Sequence, residues 1–322
     1  MNRLSLNAPD LPVIFILGPT ASGKTAVACE LSKRLDCELI SVDSSQVYRR
    51  MNIGSAKPTL AELQKYPHHL IDVREPWQTY SAADFCEDTE ALVAAARAAR
   101  KYPVLVGGTM LYFKAFADGI ADMPAADAAV RKHITEMAEN AGGWQAVHER
   151  LDQVDPASAA RIHPNDPQRL QRALEVYMVT GQPISQLQQT AAATGHRGHI
   201  QRFGLYPENR ALLHQRINRR FDAMLQQGLL QEVDQLRSES GIHFDLPSQR
   251  AVGYRQAWQH LSGELSRDQF VDAGKAATRQ LAKRQLTWMR GMQLPQLFDS
   301  ESVGVEQIAE QIAEAIVQHK SA

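Results

Sequence analysis

The stretch Gly18 to Thr25 reads GPTASGKT, and it constrains the fold of this chain more than any other. A G-x-x-x-x-G-K-[ST] loop cradles a phosphate only where a strand delivers it and a helix leaves it. Its inward N–H groups and the positive end of the helix then act together on the anion. Both flanks are present. Val13-Ile14-Phe15-Ile16-Leu17 is apolar at every position, as a strand covered on both faces of a parallel sheet should be. Thr25 to about Leu35 reads as the helix. Gly18 and Gly23 let the backbone close on the anion, with Pro19, Thr20, Ala21 and Ser22 forming the bend between them. Lys24 adds a positive charge, and the Thr25 hydroxyl is placed to hold Mg²⁺. The loop takes any oligophosphate that fits; it does not by itself specify ATP.

The pattern continues in kind. Leu39 to Val42 reads as a second strand, Ala82 to about Arg100 as a helix, and Pro103 to Val106 as a further buried strand ending in Gly107-Gly108-Thr109. Such alternation implies an α/β fold, a doubly wound parallel sheet carrying the P-loop. From residue 118 to 199 the chain changes to short helical patterns broken by Pro, Gly and Asn. One of these starts at Asp166-Pro167, a cap followed by proline at the first helical position, and stops at Gly181. Gln201 to Tyr206 reads as a strand of the core sheet. A helical insertion domain over 118–199 is therefore expected inside a catalytic core made of 1–117 and 200–322, with Ile308, Ile312 and Ile316 as a packing face of the last helix.

With 322 residues, 44% of them hydrophobic, the chain can fill the cores of about two domains. A formal net charge of -1 excludes binding to nucleic acid by bulk charge, so any RNA-binding face must be a local basic patch. Cys29, Cys37 and Cys86 lack metal-ligand spacing, and an odd, sparse set suits a reducing compartment. No apolar run reaches the roughly 18 residues of a membrane span, and the start MNRLSLNAPDLP lacks the regions of a signal peptide. A soluble, cytoplasmic monomer with no membrane partner is expected.

Chemistry gathers where the strands end. Asp43 follows the second strand, at the edge where open α/β sheets place ligands. A carboxylate there accepts a proton, organises a metal ion or simply forms a turn, and the residue alone does not choose among these. Thr109 ends the later strand, where it also suits a helix cap. In a helix read from Leu212 to Gln227, Leu213, Ile217, Phe221, Met224 and Leu225 share a face; Arg216 and Arg220 fall beside it. In a helix read from Lys275 to Arg290, Ala277, Leu281 and Trp288 form one face and Arg279, Lys283 and Arg290 the opposite one, a basic stripe suited to phosphates. His68, His69 and His163 have no further ligands at metal spacing, and Trp77, Trp144 and Trp258 are read as packing residues.

The segments GPTASGKT, ISVDSSQVYRRMNIGSAKP, YSAADF, LVGGTMLYFKA, IHPNDPQRLQRALEVY, RAVGYRQ and TRQLAKRQLTWMR follow one another between about residue 12 and residue 290. Over nearly its whole length the chain closely resembles bacterial tRNA dimethylallyltransferases, also called tRNA isopentenyltransferases; Met110 departs from the Gly of many relatives. The resemblance implies transfer of a dimethylallyl group from dimethylallyl diphosphate to N6 of the adenosine immediately 3′ of the anticodon, in tRNAs reading U-starting codons. The P-loop would then hold an isoprenoid diphosphate, with Arg216 and Arg220 beside it and Mg²⁺ on Thr25. Asp43, Thr109, Lys24 and Arg220 would be catalytic. For the tRNA anticodon arm it implies Asp43, Ser44, Ser45, Gln46 and Thr109; Gln168, Arg169, Leu170, Gln171 and Arg172; Arg250, Ala251, Val252, Gly253, Tyr254 and Arg255; and Arg279, Lys283, Arg284, Gln285 and Arg290. Arg131, in the insertion, is expected to touch the RNA from the other side. Three other readings stand beside this one: prenylation of free adenylate, as in cytokinin synthesis; a P-loop small-molecule kinase; and a non-catalytic RNA-binding protein.

Overall fold

A computed structural model describes residues 11–121, 123–189, 195–196, 198–292 and 294–318. Its chain divides into two compact units, one made of residues 1–114 with 197–322 and the other of residues 115–196.

The first unit is built on a six-stranded sheet: β1 (Val13–Leu17), β2 (Cys37–Val42), β3 (His68–His69), β4 (Tyr102–Gly107), β5 (Ile200–Leu205) and β6 (Gln296–Phe298). Every pairing is parallel, and the order across the sheet is β3-β2-β4-β1-β5-β6. All five side chains of β1 are fully buried, each contributing roughly 1.5–3 kcal/mol of hydrophobic stabilisation. Helices cover the sheet. The helix Lys24–Leu31 and the C-terminal helix Val305–Gln318 join one apolar cluster through Val27, Ala28, Leu31, Ile308, Ile312 and Ile316. The helix Ala82–Ala98 starts on a reciprocal cap, Ser81 with Asp84, that satisfies its first orphan N–H groups.

This is the α/β class expected from the sequence, with two strands that were not. β3 has two residues and β6 three, too short to show any period. From β1 the chain runs to β2, β3 and β4 on one side, and β5 and β6 are added on the other. That reversal puts the crevice for a ligand at the carboxyl ends of β1 and β4.

The second unit is helical. Ala128–Asn140, Gln145–Val154 and Pro167–Thr180 pack around a core that includes Ile134, Val147, Leu151, Leu170 and Leu174. The helix Pro167–Thr180 is capped by the Asp166 side chain on the Arg169 N–H and ends at Gly181, whose φ is 73°.

Candidate active site

Three strand ends meet at the crevice. After β1 the P-loop bends through Ala21 (φ 63°) and Gly23 (φ 87°), the left-handed region that glycine enters without cost. The Lys24 ammonium donates to the Pro19 carbonyl at 3.2 Å. After β2, Asp43 forms a tight turn, its Oδ1 accepting from Ser45 N at 2.8 Å and from Gln46 N at 3.3 Å. After β4, Thr109 Oγ1 accepts from Ser44 N at 3.0 Å and ties the two ends together. A single side chain from far along the sequence braces the other side. Gln285 accepts from Thr20 N and donates to the Gly108 carbonyl, both at 2.8 Å. Gly108 has to be glycine for this, since a Cβ would lie 2.4 Å from Gln285 Nε2.

Between these ends lies a cavity with two characters. Its lining joins polar groups, among them Thr20, Lys24, Thr25, Asp43 and Arg220, to apolar ones, Ile217, Phe221, Met224, Val252 and Leu281. Burial pushes the Lys24 ammonium down to about 8, the neighbouring Arg220 charge pushes the same way, and Asp43 partly offsets both. Arg220 is also lowered by burial and supported by Asp43. Two cations held this close are an unfavourable arrangement that an oligophosphate would relieve.

The wall of the cavity at Gly54, Ser55 and Ala56 is set by a residue the sequence reading missed. Glu232, on the helix Leu229–Arg237, accepts four hydrogen bonds. Asn52 N (2.9 Å) and Ile53 N (2.8 Å) donate to Oε2; Gly54 N (3.2 Å) and the Tyr254 hydroxyl (2.6 Å) donate to Oε1. Buried Lys57 closes the same loop by donating to Tyr48 O and Asn52 Oδ1, and it pairs with Asp72. Gln46 hangs from this loop through Ser55 O and Ala56 O while accepting from Ser41. Nothing in the spacing of Glu232 marked it; an acid on an amphipathic helix reads as solvated.

Several residues expected at the RNA or at the diphosphate are engaged by partners within the protein. Arg216 pairs with Glu301 at 2.9 Å, a carboxylate brought there by the segment after β6. Gln285, expected at the RNA, is buried against the P-loop, its amide engaged by Thr20 N and the Gly108 carbonyl. Tyr254 is fully buried on Glu232, and Leu170 is fully buried in the core of the second unit. Arg131 and Arg172 both clamp Glu175, itself fully buried, which also accepts from Asp127 N; Gln171 donates to Arg131 O and Thr135 Oγ1. Gln168 and Arg169 are exposed, as are Arg250 and Arg255.

The basic helix spans Arg267–Gly291 and packs through Ala282, Gln285, Leu286 and Met289. That face is rotated from the one expected, because Leu281 borders the cavity and Trp288 stands 38% exposed. Arg279, Lys283 and Arg290 do share a groove, and Arg210 and His214 join them there. Arg284 is exposed outside it. Trp77, expected to pack, is 45% exposed under the Arg50 guanidinium; Trp144 packs on the core of the second unit, and Trp258 meets Phe244 and Arg237.

Comparison with known proteins fits this geometry. The family model for IPP transferase matches residues 46–292. The chain is similar to the full-length tRNA isopentenylpyrophosphate transferase of Bacillus halodurans, at 35% identity over 97% of this chain and 99% of that one, with a TM-score of 0.69. It is similar to the tRNA delta(2)-isopentenylpyrophosphate transferase of Staphylococcus epidermidis, at 31% identity over 96% and 99%, with a TM-score of 0.69. A eukaryotic dimethylallyltransferase acting on tRNA matches with a TM-score of 0.78, at 27% identity over 96% of this chain and 79% of that one.

Proposed function

The chain belongs to the IPP transferase family, and on that premise we propose that it transfers a dimethylallyl group from dimethylallyl diphosphate to N6 of the adenosine immediately 3′ of the anticodon, in tRNAs reading U-starting codons. The observation that carries this reading is the mixed lining of the cavity: the cations Lys24 and Arg220 and the carboxylate Asp43 together with the apolar side chains Ile217, Phe221, Met224, Val252 and Leu281. A phosphorylated isoprenoid presents the matching pair of chemistries, an anion and a hydrocarbon.

The roles follow from the positions. Lys24 and Arg220 receive the diphosphate and stabilise its charge as the bond from its oxygen to the allylic carbon breaks and the electron pair leaves with it. The adenine N6 bonds to that carbon, and its proton passes to Asp43, whose Oδ1 is already held by two backbone N–H groups, leaving Oδ2 to accept. Thr109 and Gln285 hold the strand ends that position these groups. Among the described residues no group of three or more His, Cys, Asp or Glu could hold a metal. The Thr25 hydroxyl suits Mg²⁺ bound jointly with donor phosphates. When bound, Mg²⁺ would neutralise charge on the departing diphosphate.

For the tRNA we assign the Asp43–Gln46 turn, the exposed Gln168, Arg169, Arg250 and Arg255, and the groove of Arg279, Lys283 and Arg290. The target base has to leave its stack, which favours an adenosine in a loop. The same reading makes the protein a cytoplasmic monomer; among the described residues no helix is long and apolar enough to cross a membrane. Neutralising Arg279, Lys283 and Arg290 together should weaken tRNA binding and reduce the slope of log affinity against log salt by about 2. A slope equal to that of the native protein would remove this groove from the RNA interface.

The deciding assay supplies Mg²⁺ and radiolabelled dimethylallyl diphosphate with unmodified tRNA, or with AMP or ATP in its place. Label should enter tRNA alone, at the adenosine 3′ of the anticodon, and Asp43→Ala should lower the rate by about 10²–10⁴-fold. Label in free nucleotide would move the assignment to adenylate prenylation.

A further inference from the structure

The apolar side chains of the cavity are held unevenly. Phe221 is 3% exposed, its ring lies 5.8 Å from that of Phe270, and a Cβ on Gly274 would stand 2.1 Å from its Cζ. The ring already fills the space that Gly274 leaves in the helix Arg267–Gly291. Ile217 is 1% exposed and equally fixed. Met224 differs: it is half-buried and lines both the catalytic cavity and an adjoining groove. Ala56, Pro58 and Arg220 share that border. Beyond it the groove offers Ile53, Leu60, Leu63 and Ala223, with Leu60 80% exposed, and Arg49, Arg50, Lys57 and Asp72 also line it.

Helical spacing gives the direction of the donor. Ile217, Arg220, Phe221 and Met224 stand at i, i+3, i+4 and i+7 on one face of the helix Arg210–Gln227. A diphosphate on Arg220 therefore starts a chain that lies along this face. With Phe221 and Ile217 immobile, the boundary that yields is Met224, an unbranched side chain that adapts to what it touches.

We propose that Met224 is the specificity-determining residue for donor length, ending the cavity after the first isoprene unit and screening the groove whose apolar side chains Ile53, Leu60, Leu63 and Ala223 would house a second. The proposal rests on the prenyl-transfer reading above. The chemistry is the same for a longer allylic donor: the carbon–oxygen bond breaks toward diphosphate, N6 bonds to the same carbon, and the proton goes to Asp43.

The test measures transfer to tRNA from dimethylallyl and geranyl diphosphate. Met224→Ala should raise kcat/KM for geranyl diphosphate by about tenfold or more over the native enzyme and raise KM for dimethylallyl diphosphate several-fold. Met224→Leu, of nearly equal volume, should keep the native preference. Adding Leu60→Arg to Met224→Ala puts a charge in the groove and should erase the geranyl gain. Geranyl transfer unchanged in a Met224→Ala enzyme that still transfers dimethylallyl overturns the proposal, and so does a gain that survives Leu60→Arg. A native enzyme inert with dimethylallyl diphosphate and tRNA would instead overturn the underlying function.

Discussion

Lys24→Ala should lower the rate of transfer by about 10³-fold, the scale seen when a donor aimed at developing negative charge is removed, and leave tRNA affinity nearly intact. The side chain lines the cavity with Arg220 and Thr25, so its charge serves the diphosphate. An equal loss of RNA affinity would contradict that placement. The native enzyme should also show the lysine in its pH profile. In the free protein Lys24 titrates at about 8, well below its ordinary 10.5, chiefly because it is buried. Above pH 8 it therefore loses the proton the donor needs, and kcat/KM for dimethylallyl diphosphate should fall tenfold per pH unit. Bound diphosphate raises the lysine again, so kcat should hold to higher pH, and donor binding near pH 8.5 should take up a proton. The sign for stability is opposite. A depressed lysine disfavours the folded state below about pH 8, and the penalty lifts as pH rises from 8 toward 10.5. A profile flat from pH 7 to 9.5 would place Lys24 in ordinary solvent.

Glu232→Gln should be as damaging as Glu232→Ala, costing about 3–5 kcal/mol in unfolding experiments. The usual expectation that glutamine is the gentle replacement fails here for a geometric reason. All four partners of the carboxylate are donors, two on each oxygen, so an amide must aim its own N–H groups at two of them. Tyr254→Phe removes one donor and should cost about 1 kcal/mol. Because the loop Asn52–Ala56 forms one wall of the cavity, Glu232→Gln should also raise KM for the donor. A glutamine variant as stable as the native protein would mean that the loop holds its shape without the carboxylate.

The parts of the site legible in the sequence were those whose chemistry is local. The P-loop is a run of consecutive residues, β1 is apolar at every position, and Asp166, Pro167 and Gly181 cap their helix with groups a few residues apart. What escaped depends on partners far along the chain. Gln285 meets Thr20, and Glu232 meets Asn52; neither pairing leaves a period or a motif. Arg216 and Arg220 are one helical turn apart and equally basic, yet one faces Asp43 and the other Glu301. Their difference is decided by the segment after β6, a strand too short to foresee. The rotation of the helix Arg267–Gly291 has a similar origin. A polar residue, Gln285, occupies the packed face because backbone groups of two loops satisfy it, so the apolar pattern alone pointed to the wrong side.

The position of β1 has a consequence for how the chain is made. It is an inner strand of the sheet, flanked by β4 and β5, with Val13 beside Ile200. During synthesis β1, β2 and β4 emerge early, and one apolar edge of β1 then stays unpaired until β5 leaves the ribosome. At 5–20 residues per second, the stretch 108–199 holds that edge open for on the order of 5–20 s. The second unit lies wholly within this interval and has its own core. The nascent chain thus carries a naked inner edge through its middle life, the point at which a holding chaperone or an aggregating neighbour would find it.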